Sequence, residues 1–151
     1  MITKTMKRMN FIMTVMASLM MLAGCEKDDR SVALTSLPQK AQTFIENHFG
    51  DLTIASVVKE YDDLTYDYDV YFTNGTSIEF SRSGEWKSID CHGSKVPDSA
   101  VPAGVLSYVT ANYPSNVVVQ LSIDGLFYDV ELDNDLDLVF NKSGKFVRID
   151  Y

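Results

Sequence analysis

The chain has two cysteines, two histidines, four prolines and one tryptophan in 151 residues. Each scarcity closes off a class of protein. Only Cys25 and Cys91 are present, and Cys25 has another use described below. The fold therefore cannot rest on an intrachain disulfide, and the spacing of a structural zinc site is missing. Cys91 and His92 are neighbours, but adjacent residues on a strand point to opposite faces, and nothing else joins them in a metal-like spacing. His48 and His92 stand in unrelated contexts, so no serine, cysteine or histidine falls into a recognisable triad. Basic residues number 13 against 21 acidic, a net charge of −8, which argues against nucleic acid as a partner. The longest apolar run, Phe11 to Ala23, is shorter than the roughly 18 residues a spanning helix needs.

That run is preceded by Lys4, Lys7 and Arg8 and closed by Leu22-Ala23-Gly24-Cys25, the layout of a secretory leader. The closing tetrapeptide resembles the lipobox of bacterial lipoproteins. The resemblance implies a signal peptide over residues 1–24, cleavage before Cys25, and acylation of the Cys25 thiol and amine. Several acyl chains on one residue satisfy the two-signal requirement for stable anchoring. Loss of the leader removes three basic and no acidic residues, leaving a mature charge of −11. Glu26-Lys27-Asp28-Asp29 resembles the acidic, lysine-containing tag that sends some Gram-negative lipoproteins to the cell surface; a solvated charge cluster is the plainer reading. The expectation is an outer-membrane lipoprotein facing the periplasm or the cell surface. Residues 25–35 would form a flexible tether reaching at most ~35 Å from the bilayer.

The rest of the chain repeats itself. Shifted by 60 residues, Tyr68-Asp69-Val70 falls on Tyr128-Asp129-Val130, Phe80 on Phe140, Ser83-Gly84 on Ser143-Gly144, and Ile89-Asp90 on Ile149-Asp150. Upstream the shift becomes 64, matching Leu37-Pro38 with Val101-Pro102 and Phe44-Ile45 with Tyr108-Val109. A four-residue deletion in the loop after the second copy's first strand reconciles the two shifts. Ser36-Leu37-Pro38-Gln39 reads as a capping box opening a helix. Ala41, Phe44, Ile45, His48 and Phe49 form its apolar stripe, and Val105, Tyr108, Val109, Asn112 and Tyr113 form its counterpart. His48 reads as a helix-packed histidine. The period then changes to two, with Asn74-Gly75 and Ser83-Gly84 as hairpin turns. The predicted fold class is α+β over residues 36–151. It is a tandem repeat (36–91 and 99–151) of one helix plus four antiparallel strands, with both helices on one face of a continuous sheet.

Leu37-Pro38 opening an amphipathic helix, followed by Tyr68-Asp69-Val70, Ile78-Glu79-Phe80 and Gly84-Glu85-Trp86 through Asp90, written twice, resembles the PepSY-like, β-lactamase-inhibitor-like family of bacterial envelope proteins. The resemblance spans Leu37 to Tyr151. It implies a concave sheet that grips a protein, and inhibitory or regulatory roles toward secreted enzymes. The chain lacks the family inhibitor's disulfide cysteines and the acidic residue of its inhibitory loop, so no inhibitory residue is carried over.

Strand parity assigns Tyr68, Val70, Phe72, Ile78, Phe80, Ile89, Val147 and Ile149 to the helix side. The open side then receives Asp67, Asp69, Tyr71, Glu79, Trp86 and Ser88, and in the second copy Phe127, Asp129, Glu131, Asp137, Val139, Phe146 and Arg148. Aromatics ringed by charge have the composition of a binding hot spot. Trp86, Phe146, Tyr71, Phe127, Glu79 and Arg148 are the candidate contacts for an envelope or secreted protein or peptide. A bulge at the Ser-Gly turn would instead turn Trp86 and Phe146 into the core. No cofactor, catalytic residue or resident metal is expected. The alternative is a cation-binding domain using Asp133-Asn134-Asp135-Leu136-Asp137, which lacks a calcium loop's glycine and closing glutamate; a carboxylate hydrolase is less favoured, since a flat sheet offers no cleft.

Overall fold

The computed structural model describes residues 30–62 and 64–150. The leader, Cys25 and residues 26–29 lie outside the described residues. Nine strands form one antiparallel sheet in strict chain order. They are β1 (Arg30–Ser31), β2 (Ile54–Asp62), β3 (Thr65–Phe72), β4 (Ser77–Ser81), β5 (Trp86–Asp90), β6 (Val118–Asp124), β7 (Phe127–Leu132), β8 (Asp137–Asn141) and β9 (Phe146–Asp150). Helix α1 (Gln39–Phe49) precedes β2 and α2 (Ala103–Asn112) precedes β6. Each half thus runs helix and then four strands. Among the described residues no helix is long and apolar enough to cross a membrane.

Residues directly opposite in an antiparallel pair share a face. Following the pairing from strand to strand, Val57, Val70, Ile78, Ile89, Leu121, Val130, Leu138 and Ile149 form one continuous inner row. All but Ile149, on the edge strand, are fully buried. Both helices cover this face. Phe44 of α1 meets Phe80 edge-on at 5.8 Å between ring centroids, and Tyr108 of α2 meets Phe140 the same way at 5.3 Å. Ala41, Ile45 and Phe49 of α1, and Val105 and Val109 of α2, are the buried part of the stripes read from the sequence. Asn112 is not: it is exposed and donates to the Tyr108 carbonyl. His48 packs against Phe44, its Nδ1 lying 2.8 Å from Ser99 Oγ.

Three expectations need correction. The first helix has no capping box. Pro38 takes the cap position without a side-chain hydrogen bond, Ser36 belongs to a 3-10 turn (Leu34–Ser36), and Gln39 Nε2 donates to Thr43. Proline, with φ already fixed near the helical value, starts each helix without help from a hydroxyl. Within the segment 25–35 expected to be a flexible tether, Arg30 and Ser31 instead pair with Lys59 and Val58 as a ninth strand.

The third correction concerns parity. The pairing steps from Glu79–Ser88 to Phe80–Trp86, so Lys87 is an extra residue; in the second half it steps from Val139–Arg148 to Phe140–Phe146, and Val147 is extra. A one-residue bulge flips every side chain beyond it. Trp86 and Phe146 therefore lie on the helix side, opposite the buried Phe80 and Phe140, and pack against the core. Val147, expected inside, is 45% exposed.

Candidate partner-binding face

Among the described residues, no helix covers the other face. Its rows follow from the same pairing. One contains Tyr71, Ser77, Asp90, Gln120, Glu131, Asp137 and Asp150; the next contains Asp69, Glu79, Ser88, Ser122, Asp129, Val139 and Arg148. Tyr71, Phe127, Glu79 and Arg148 thus stand where the sequence places them, whereas Trp86 and Phe146 do not. Tyr71 and Phe127 are among the few large apolar side chains that remain exposed among the described residues. Val139, on the open face, is nonetheless buried beneath its neighbours.

The face is dominated by carboxylates, and the two halves treat them differently. In the first half the bulge residue Lys87 donates to Asp67 Oδ2 at 2.7 Å and to Glu79, placing a cation among the acids. Burial opposes the Lys87 charge, but these hydrogen bonds hold its pKa above the ordinary lysine value. Asp69 lies beyond that relief. Burial, then the charges of Glu79 and Glu60, push its carboxyl up to about 6.

In the second half the position of Lys87 is taken by Val147. Here Arg148 Nη2 pairs with Asp150 at 3.1 Å. Gln120, Ser122, Asp129, Glu131, Asp137 and Asp150 surround an open recess of about 270 Å³. Burial, then Asp124 and Asp150, raise the Asp129 pKa, with Arg148 pulling the other way; burial, then Asp137, raise that of Glu131. Carboxylates held above their usual range by low dielectric and like charge are sites where positive charge is favoured. Parity reading missed Lys87 because a bulge residue shares the face of its neighbour. The signal available in the sequence was the odd spacing between the apolar positions Trp86 and Ile89, and between Phe146 and Ile149.

The hairpin acids do not converge. Asp133 accepts hydrogen bonds from Asn116 Nδ2 at 2.8 Å and the Val117 amide at 3.2 Å, both from the segment between α2 and β6. Those bonds lower its pKa. Among the described residues no group of three potential ligands is placed to hold a metal ion. Cys91 is buried, burial raises its thiol pKa, and Thr76 is its hydrogen-bonding neighbour, so it stays a protonated core residue.

Over residues 66–148 the chain matches the family described as "Putative beta-lactamase-inhibitor-like, PepSY-like", and it belongs to that family. Three solved structures are similar along nearly their whole length. One, a "putative calcium-regulated periplasmic protein" of Bacteroides thetaiotaomicron, is 39% identical over 82% of this chain and 98% of its own, with a TM-score of 0.78. A "putative periplasmic protein" of Bacteroides vulgatus is 37% identical over 85% of this chain and 100% of its own, also with a TM-score of 0.78. Another from the same species is 30% identical over 82% and 99% of the two chains, with a TM-score of 0.75. No curated protein matches the chain.

Proposed function

We propose that this chain is a non-catalytic envelope lipoprotein, anchored to the outer membrane through Cys25, whose open sheet face binds a protein or peptide that brings positive charge. Its two halves are read as copies of one helix-plus-four-strand unit. The observation that carries the proposal is the second-half recess, where Asp129, Glu131 and Asp137 lack the lysine that sits among the first-half acids. The exposed aromatic rings of Tyr71 and Phe127 supply apolar contact on the same surface. The family's β-lactamase-inhibitor-like name suggests that the partner is a secreted enzyme held in check.

The test combines Asp129→Asn and Glu131→Gln with Tyr71→Ala and Phe127→Ala. A partner cross-linked to the wild-type chain in the envelope should lose at least about tenfold in affinity for this variant, and the loss should shrink as salt rises. Undiminished binding overturns the open face as the contact surface.

A second reading is favoured by one observation, the relative whose printed name includes calcium regulation. Calcium would relieve the crowded acids of the recess by screening them, without a closed ligand cage. It should then raise the melting temperature of the wild type, and of the Asp129→Asn, Glu131→Gln variant much less. An unchanged melting temperature in both removes this reading.

A further inference from the structure

In a sheet of strict chain order every second turn falls at the same end. The β2–β3, β4–β5, β6–β7 and β8–β9 turns therefore share one end, and they present Leu64, Arg82, Leu126 and Lys142 in alternation. Leu64 is 99% exposed and Leu126 75%, the two most exposed large apolar side chains among the described residues. Each cation of the alternation lies over a tyrosine, Arg82 5.4 Å from the Tyr66 ring centroid and Lys142 4.6 Å from that of Tyr128. The opposite end is built differently. Its Thr73–Thr76 and Asp133–Leu136 turns are mostly small, polar or acidic, and expose no large apolar side chain.

The tether enters at the leucine end. Arg30 pairs with Lys59 and Ser31 with Val58, so the chain arrives from the side of the β2–β3 turn. With β1 paired, only four residues, and so five Cα–Cα steps, separate Cys25 from Arg30. Fully extended they reach ~17 Å, half the leash expected from an unpaired segment. Sheet twist does not scatter the tips. At roughly 22° per strand, and about 10 Å from sheet midline to tip, the two leucine turns fall only about 3 Å behind the plane of the tips midway between them.

We infer that this end of the sheet docks on the bilayer that holds the lipid anchor, with Leu64 and Leu126 entering the interface and Arg82 and Lys142 meeting lipid phosphates. The inference rests on the proposed acylation of Cys25. Apolar tips flanked by tyrosine and basic residues are the chemistry of the membrane–water boundary. Described carboxylates at this end have cationic neighbours: Glu85 is held by Lys40 and Asp67 by Lys87, and Glu60 and Asp124 lie at an end that also carries three other cations, Arg30, Lys59 and Lys145. Docked this way, the sheet stands on its turns and its acidic face stays clear of the bilayer.

The full chain, processed and lipidated by a host cell, is reconstituted in vesicles of phosphatidylethanolamine and phosphatidylglycerol. A nitroxide is attached at Leu64→Cys, Leu126→Cys or Asn134→Cys, with the buried Cys91 replaced by alanine. The ratio of oxygen to water-soluble nickel-chelate accessibility should be about threefold or more higher at 64 and 126 than at 134, as expected for interfacial residues. Equal ratios at the three positions, on protein whose Cys25 is shown by mass spectrometry to carry lipid, overturn the docking and leave the anchor intact. Lipid missing from Cys25 overturns the anchor itself, and the docking with it. Spin–spin broadening at 64 and 126 assigns the tips to a second copy of the chain and overturns membrane docking.

Discussion

Trp86 and Phe146 occupy equivalent positions in the two halves, each just past a bulge and each opposite a buried phenylalanine. Their surroundings differ. Phe146 stacks on Tyr108 of its own helix, with centroids 4.6 Å apart and planes 7° apart. Trp86 stacks on Tyr128 of the other half, at 6.0 Å and 18°. The difference follows from sheet position: β9 is an edge with only its own half beside it, whereas β5 has β6 as its next neighbour. The aromatic beside the bulge therefore closes the sheet in the second half and joins the two halves in the first. The helices repeat the contrast. Gly104 and Gly144 approach so closely that a Cβ on either would sit 2.8 Å from the other's backbone. At the place of Gly104, α1 carries Lys40, which reaches out to Glu85 on the surface.

The sharpest way to break this comparison is at the glycines. Gly144 has φ +77, so Gly144→Ala adds backbone strain to overpacking and should cost about 3 kcal/mol; Gly104→Ala should cost about 2 kcal/mol despite its better helix propensity. Lys40→Ala, at the equivalent helix position, should change stability by less than about 0.5 kcal/mol, since its ion pair is solvent-exposed. Urea unfolding of the three variants reads this directly, and equal costs at 40 and 104 would show that the helices pack alike.

Truncating the aromatics comes next. Trp86→Ala and Phe146→Ala should each cost about 2 kcal/mol, below the fully buried range because both rings keep some exposure. In double-mutant cycles Trp86 should couple with Tyr128, and Phe146 with Tyr108, each by about 1 kcal/mol. A Trp86 that couples to nothing across the junction would leave the joining role without support.

The smallest effect is electrostatic. Asp69 titrates at about 6 in the folded chain against about 4 unfolded, so the folded state takes up its proton first. Its penalty is therefore absent below about pH 4 and grows as pH rises through about 6. Asp69→Asn should stabilise by about 1 kcal/mol at pH 7.5, discounted for partial exposure, and have no effect at pH 4. Asp129→Asn should act in the same direction. A pH-independent gain in melting temperature would mean that shape rather than charge sets the difference.

Much of this fold was legible because each signal was local. Alternation marked the strands, Asn74-Gly75 and Ser83-Gly84 marked turns, and one apolar stripe per helix required a single covered face. The candidate face was legible only in part. Tyr71, Phe127, Glu79 and Arg148 precede or outlast the bulges and kept their parity, whereas Trp86 and Phe146 lost theirs to one extra residue each. Lys87, the cation that distinguishes the halves, went unread because alternation has no place for two neighbouring residues on one side. The two-residue strand β1 carries no periodicity at all, and its pairing is set by β2.

The sequential order of the nine strands also shapes how the molecule comes into being. Every strand finds its partner in the segment just before it, and most closures span only a tight turn. Such nearest-neighbour wiring keeps contact order low for a sheet of this size and favours rapid assembly. Two long excursions interrupt the sheet, Ser31 to Ile54 by way of α1 and Asp90 to Val118 by way of α2, and the second joins the halves by returning β6 to β5. A chain emerging N-terminus first can thus complete one curved half while the other is still being made, offering β5 as the template on which the second half builds.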